Sequence, residues 1–216
     1  MNTRENRLLL TISHILVFIL GVIANFSGFI DSITNIPRSY SEFKKEFIYT
    51  PGFLDGNWSN NTEYVINGRD FGLEEHQVNI AFELSESDNG AASGQFYLRD
   101  LCKYNPLTDL YIIESEKPGF FNLFFDRQFH IKMIAHGQKK TIATLRLVES
   151  NKDIGTVQFN VVNDHTYTLP KSFKIAKNLP AFDDDVIAMN EYCNDIHKNY
   201  ILNMMNNKLK NQNSRD

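Results

Sequence analysis

The chain has 216 residues and a formal net charge of −4, enough length for one sizeable core or one domain with appendages. Its charged fraction of 22% is ordinary, so nothing in the composition suggests wrapping of nucleic acid, and DNA and RNA duplexes are excluded as expected partners. Seventeen Phe and nine Tyr lean the composition towards strands, because aromatics suit pleated, half-buried surfaces.

Residues 8–30, LLLTISHILVFILGVIANFSGFI, are uncharged and flanked by Arg7 and Asp31. About 23 residues rising about 1.5 Å each reach roughly 35 Å, enough to cross a hydrocarbon core of about 30 Å. A soluble helix rarely lacks a polar face over so many turns. The expectation is a transmembrane anchor over residues 1–30 that stays attached, making a single-pass protein of the cell membrane with lipid as one partner. A cleaved signal peptide competes, with Arg4 and Arg7 as its basic region and Val22-Ile23-Ala24 as its cleavage site. The apolar run continuing through Phe26, Phe29 and Ile30 speaks against cleavage. Arg4 and Arg7 before the segment nearly balance Arg38, Lys44 and Lys45 after it, so orientation is undetermined. At about 100° per residue, His14, Gly21, Asn25 and Gly28 form one small-and-polar stripe. Such stripes let helices meet in lipid, which makes a homo-oligomer through this segment the expectation.

Residues 31–53 read as a connector in which SYSEFKKEF forms a short helix between Pro37 and Pro51-Gly52. From residue 54 to 179 the period is two. Glu63–Ile66 reads as a strand leading into the hairpin signal Asn67-Gly68. Gln77–Leu84 alternates, with Val78, Ile80, Phe82 and Leu84 on one face. Strands are then expected at Gln95–Leu101, Leu110–Ser115, within Phe120–Ile134, and at Thr141–Val148, Thr156–Val162 and Thr166–Phe173. Phe129, Ile131 and Met133 share one face, as do Ala143, Leu145 and Leu147. About eight strands without helices between them make an antiparallel meander, which must close into a barrel or fold into a sandwich to protect its edges. Residues 180–216 differ. Val186, Met189, Cys193, Ile196, Tyr200 and Met204 recur at helical spacing behind Asp183-Asp184-Asp185, so an amphipathic helix is expected. It docks on the barrel or pairs with a copy of itself. Cys102 and Cys193 are expected as two unpaired buried thiols, a single bridge being the alternative.

Gly56-Asn57-Trp58 stands where the β region begins. A Gly-x-Trp there resembles the start of lipocalin- and avidin-like up-and-down barrels, in which the Trp plugs the closed end. The order of an apolar segment, LDGNWS and about eight strands also resembles the membrane-spanning β-barrel effectors of bacterial cyclic-oligonucleotide antiviral defence (CBASS). That resemblance implies a cytoplasmic barrel binding a nucleotide messenger and membrane helices that assemble in response. This chain departs from it in having one spanning segment where those effectors typically have two.

No enzyme motif is present, and the six His are scattered without metal-ligand spacing, so the expectation is a binding protein with no catalytic residue, metal or cofactor. A small phosphate-bearing ligand, such as a cyclic oligonucleotide, needs a cation for its charge and an aromatic for its base. Trp58, Tyr97 with Arg99, and the Phe124-Phe125 pair with Arg127 are the candidates; Phe125 and Arg127 are the pair taken from the last group. Three functions follow: a messenger-gated membrane effector, an extracytoplasmic carrier of an apolar ligand, and an envelope scaffold.

Overall fold

The computed structural model describes residues 40–45, 48–62, 65, 68–73, 78–108, 110–123, 126–135 and 137–213. The proposed membrane segment, with His14, Gly21, Asn25 and Gly28, lies outside the described residues, as do Phe124 and Phe125. Among the described residues no helix is long and apolar enough to cross a membrane. The chain divides into two compact units, residues 1–47 and 48–216. In the first, residues 40–45 are helical, within the stretch expected to be so.

The second unit is a closed eight-stranded antiparallel barrel, each strand pairing with the next and the last with the first. The strands are β1 Gly56–Ser59, β2 Ala81–Glu86, β3 Ala92–Tyr97, β4 Tyr111–Ser115, β5 Gln128–Ala135, β6 Gln138–Asn151, β7 Thr156–Asp164 and β8 Ser172–Lys177. This is the mainly β, up-and-down architecture expected from the sequence, consistent with a lipocalin-like barrel. Closure rests on Trp58 opposite Lys177, Ser59 opposite Ala176, and a 2.7 Å bond from the Asn178 amide to the Asn57 carbonyl.

Period-two alternation decides what fills the barrel. Phe82, Phe96, Phe129, Phe159 and Phe173 point inward and are buried, with ring centroids 5.2–6.1 Å apart along the chain of contacts. Ile113, Ile131, Leu145, Val157 and Ile175 fill the space around them. At one end Trp58 is fully buried, edge-on to Phe53 at 5.7 Å, and its indole N–H donates to the Leu54 carbonyl at 2.9 Å. The Lys177 ammonium lies over the same ring at 5.9 Å. This end is therefore closed by side chains. Gly94 is needed where β3 meets β2, because a Cβ there would stand 1.7 Å from the Glu83 carbonyl oxygen.

Several boundaries differ from expectation. The first strand does start at Gly56, where Gly56-Asn57-Trp58 places it, but residues 68–71, at the expected Asn67-Gly68 turn, form a 3-10 helix. Val78 precedes β2 and is exposed, although it is in phase with buried Ile80. Residues 99–101 leave β3 to start helix α1, Arg99–Tyr104, which buries Leu101 and Cys102. The expected strand Thr166–Phe173 is mostly loop, because the Asp164 carboxylate gathers the Thr166 and Leu169 amides at 2.8 and 2.9 Å and Tyr167 takes φ +56°. Helix α2, Phe182–Asn213, starts with Asp183, Asp184 and Asp185, whose charge suits a helix N-terminus. The two cysteines are not free thiols: Cys102 of α1 is bridged to Cys193 of α2 across 91 residues of sequence.

Replacing Trp58 with Ala is expected to destabilise the barrel by about 3–5 kcal/mol, the range for truncating a buried Trp. Urea denaturation followed by circular dichroism measures it. A loss under about 1 kcal/mol would mean that the ring does not close this end.

Candidate functional site

Among the described residues, the expected ligand residues fall into two groups. Trp58 sits in the closed end, Tyr97 and Arg99 lie on the outside near α2, and Arg127 belongs to a polar cluster at the closed end. Arg99 does not share a strand face with Tyr97, because the chain turns helical after Leu98.

Arg127 precedes β5 at the end where β2 turns into β3 and β4 runs on to β5. Its side chain is only 8% exposed. Nε donates to the Glu116 carbonyl at 3.1 Å, and one terminal nitrogen donates to the Gly90 carbonyl and to Ser115 Oγ. The guanidinium lies 5.3 Å from the centre of the Phe129 ring, the top of the inner stack. Ser115 Oγ in turn accepts from the Ala92 amide at 2.8 Å, so the β2–β3 turn and the β4–β5 connection are bolted together. Gly90 permits this, having φ +81° and no Cβ to strike Tyr49 and Pro118. Burial lowers the Arg127 pKa to about 10, with Glu86 and Tyr49 opposing the change, so the group stays charged at neutral pH. Burial likewise raises the Glu86 carboxyl, against the Leu54 amide and Arg127, which favour its charge. One Glu86 oxygen accepts from the Leu54 amide at 3.4 Å, and the other is buried with no hydrogen-bond partner among the described residues. Since Leu54 also takes the Trp58 N–H, Glu86 and the indole plug are tied through one residue. Chemically this is a lock on the barrel end. All of the Arg127 donors named above go to protein oxygens.

The second cluster is the wall clad by α2. Phe182 and Met189 pack with Val186 over Ala81 and Tyr97 on the outside of β2 and β3. Asp185 accepts from Asn61 Nδ2 at 2.6 Å, Asn79 Nδ2 at 3.3 Å and Ser59 Oγ at 3.4 Å, pinning α2 to the segments around β1 and β2. The Arg99 guanidinium and the Lys103 ammonium each stand 5.7 Å from the Tyr192 ring of α2. Burial raises the Tyr97 phenol pKa, and Glu83 adds to the effect. A cleft of about 90 Å³ lies beside the bridge, lined by Gln95, Tyr97, Thr108, Leu110, Met189 and Asn190 among others. That space suits a few waters, far below the roughly 300–1,000 Å³ of ordinary ligand sites. Here Tyr97 and Arg99 hold a helix.

Sequence reasoning missed α1 and the part played by Asp185, and held the bridge only as the alternative to two unpaired thiols. The acidic triplet was visible, but that one of its members would reach three residues beside the first two strands follows only from the packing.

Replacing Arg127 with Met is expected to cost roughly 3 kcal/mol of stability, because a buried charge network loses its donor and two carbonyls lose a partner. The exposed Arg146 changed to Met serves as the control and is expected to cost under about 0.5 kcal/mol. Equal, small losses in thermal unfolding of both variants would mean that Arg127 is available for something other than locking the barrel end.

Comparison with known protein families, curated proteins and solved structures returns no match, so what this chain does is read from its own residues.

Proposed function

We propose that the chain is a membrane-anchored extracytoplasmic scaffold, a solid barrel that holds a long helix in place for other macromolecules of the envelope. The observation that carries this reading is the Cys102–Cys193 bridge between α1 and α2. Such bridges form and persist in oxidising compartments, whereas cytosolic thiols are kept reduced. With residues 8–30 as the anchor, a barrel in an oxidising space puts the amino terminus in the cytosol.

The packing supports the same reading. A carrier needs a hollow, and here the inner faces meet through five Phe rings at centroid spacings of 5.2–6.1 Å. A messenger-gated effector of the kind that the barrel resembles needs a cytoplasmic barrel with cations free for phosphate. Arg127 is spent on the barrel end, and Arg99 on Tyr192.

Reporter fusions after Asp216 test it. Alkaline phosphatase, which needs its own disulfides, is expected to be active there and a cytosol-dependent fluorescent reporter dark. In the same cells Cys102 and Cys193 are expected to resist alkylation until reductant is added. An inactive phosphatase together with two freely alkylated thiols would contradict the proposal.

A further inference from the structure

We infer that the outward side of α2 pairs two copies of this chain in antiparallel fashion. The helix has 32 residues and is about 48 Å long. Phe182 and Met189 near its start are buried against the barrel, whereas every residue from Lys198 to Lys208 is exposed. That free part is poorly suited to stand alone. Residues 194–213 include seven Asn, a residue of low helix propensity that prefers caps and turns, so this stretch gains little helicity from its own sequence.

Helical geometry separates two stripes. At about 100° per residue, Phe182, Val186, Met189 and Cys193 share an arc of about 60°, the docked side. Ile187, Asn194, Ile201 and Met205 share another arc of about 40°, roughly 110° away and facing solvent. Ile187, Ile201 and Met205 are 56%, 40% and 57% exposed. From Ile187 to Met205 this second seam is about 27 Å long.

The charge pattern names the occupant. Phe182 to Asp195 holds five acidic residues (Asp183, Asp184, Asp185, Glu191 and Asp195) and no basic one. Ile196 to Asn213 holds three basic residues (Lys198, Lys208 and Lys210) and no acidic one. Two copies side by side in parallel would set like charge against like along the whole helix. In antiparallel, each acidic half faces a basic half, and the helix dipoles oppose as well. With the crossing at Ile196, Ile187 faces the second copy's Met205. Glu191 then lies within about one turn of the second copy's Lys198. A two-fold axis makes each contact twice. The pairing does not depend on which side of a membrane the barrel occupies, so it stands or falls separately from the proposed function.

Sedimentation equilibrium of the full chain in detergent micelles over a concentration series tests the pairing. A reversible dimer is expected. Ile201→Asp, on an exposed position that leaves the fold intact by circular dichroism, is expected to weaken it about a hundredfold. Glu191→Lys and Lys198→Glu alone are each expected to weaken it about tenfold, and both changes in one chain to restore it, since the reversed pair again forms between copies. A monomer at every concentration would overturn the inference. So would a dimer indifferent to Ile201→Asp, or a double charge swap that stays as weak as the single ones.

Discussion

A meander of eight strands leaves the backbone of its first and last strands unpaired, and in this protein those two edges satisfy each other. The union is short, since β1 has four residues and meets β8 at Trp58 and Ser59. So small a seam needs help, and the Trp58 plug provides it. The indole N–H is held by Leu54, one face is covered by Lys177 of β8, and an edge is packed by Phe53. Everything else follows from that closure. Once the sheet is a ring, its inward residues have only each other to meet, and five Phe side chains and the aliphatic residues around them occupy the space.

Among the described residues the inward faces of the strands meet in one apolar core. Three cations make contacts within the structure: Arg127 with carbonyls at the closed end, and Arg99 and Lys103 with the Tyr192 ring. The outside is elaborated at one place, where α2 crosses β1 and β2, meets α1 and is tied there by a disulfide. A bridge closing a 91-residue span contributes stability largely by restricting the unfolded chain, on the order of 4–5 kcal/mol in the loop-entropy picture. It holds in place a helix whose residues from Lys198 to Lys208 are all exposed.

Much of the barrel was legible in the residues, and the reason is local. Strict alternation such as Phe129-x-Ile131-x-Met133 or Ala143-x-Leu145-x-Leu147 states which side is in, and both sets are inward here. What alternation cannot state is where a strand stops. Phe96 and Leu98 continue the phase into Arg99-Asp100-Leu101, yet after Leu98 the chain turns helical and buries Leu101 and Cys102 together. The stretch after Asp164 looks like a strand, being rich in Thr and Tyr, but a side-chain carboxylate organises it as a loop. The candidate site was less legible still. Tyr97 and Arg99 do not share a strand face, because the chain turns helical after Leu98 and Arg99 stands against Tyr192 of a helix nearly a hundred residues away. Arg127 was noticed for its charge, but its burial depends on loops meeting at one end of the barrel. The disulfide needs the whole topology before its two ends are seen to meet.

If the barrel is the filled support proposed above, its interior takes no guest. Trp58 is the only tryptophan of the chain, so its emission reports on the closed end alone. Titrating the protein with long-chain fatty acids and with cyclic dinucleotides while recording that emission is the most direct measurement. The account expects a blue-shifted spectrum that neither class of ligand alters. A saturable, equimolar shift of the Trp58 emission by either class would show that the interior opens, and would contradict it.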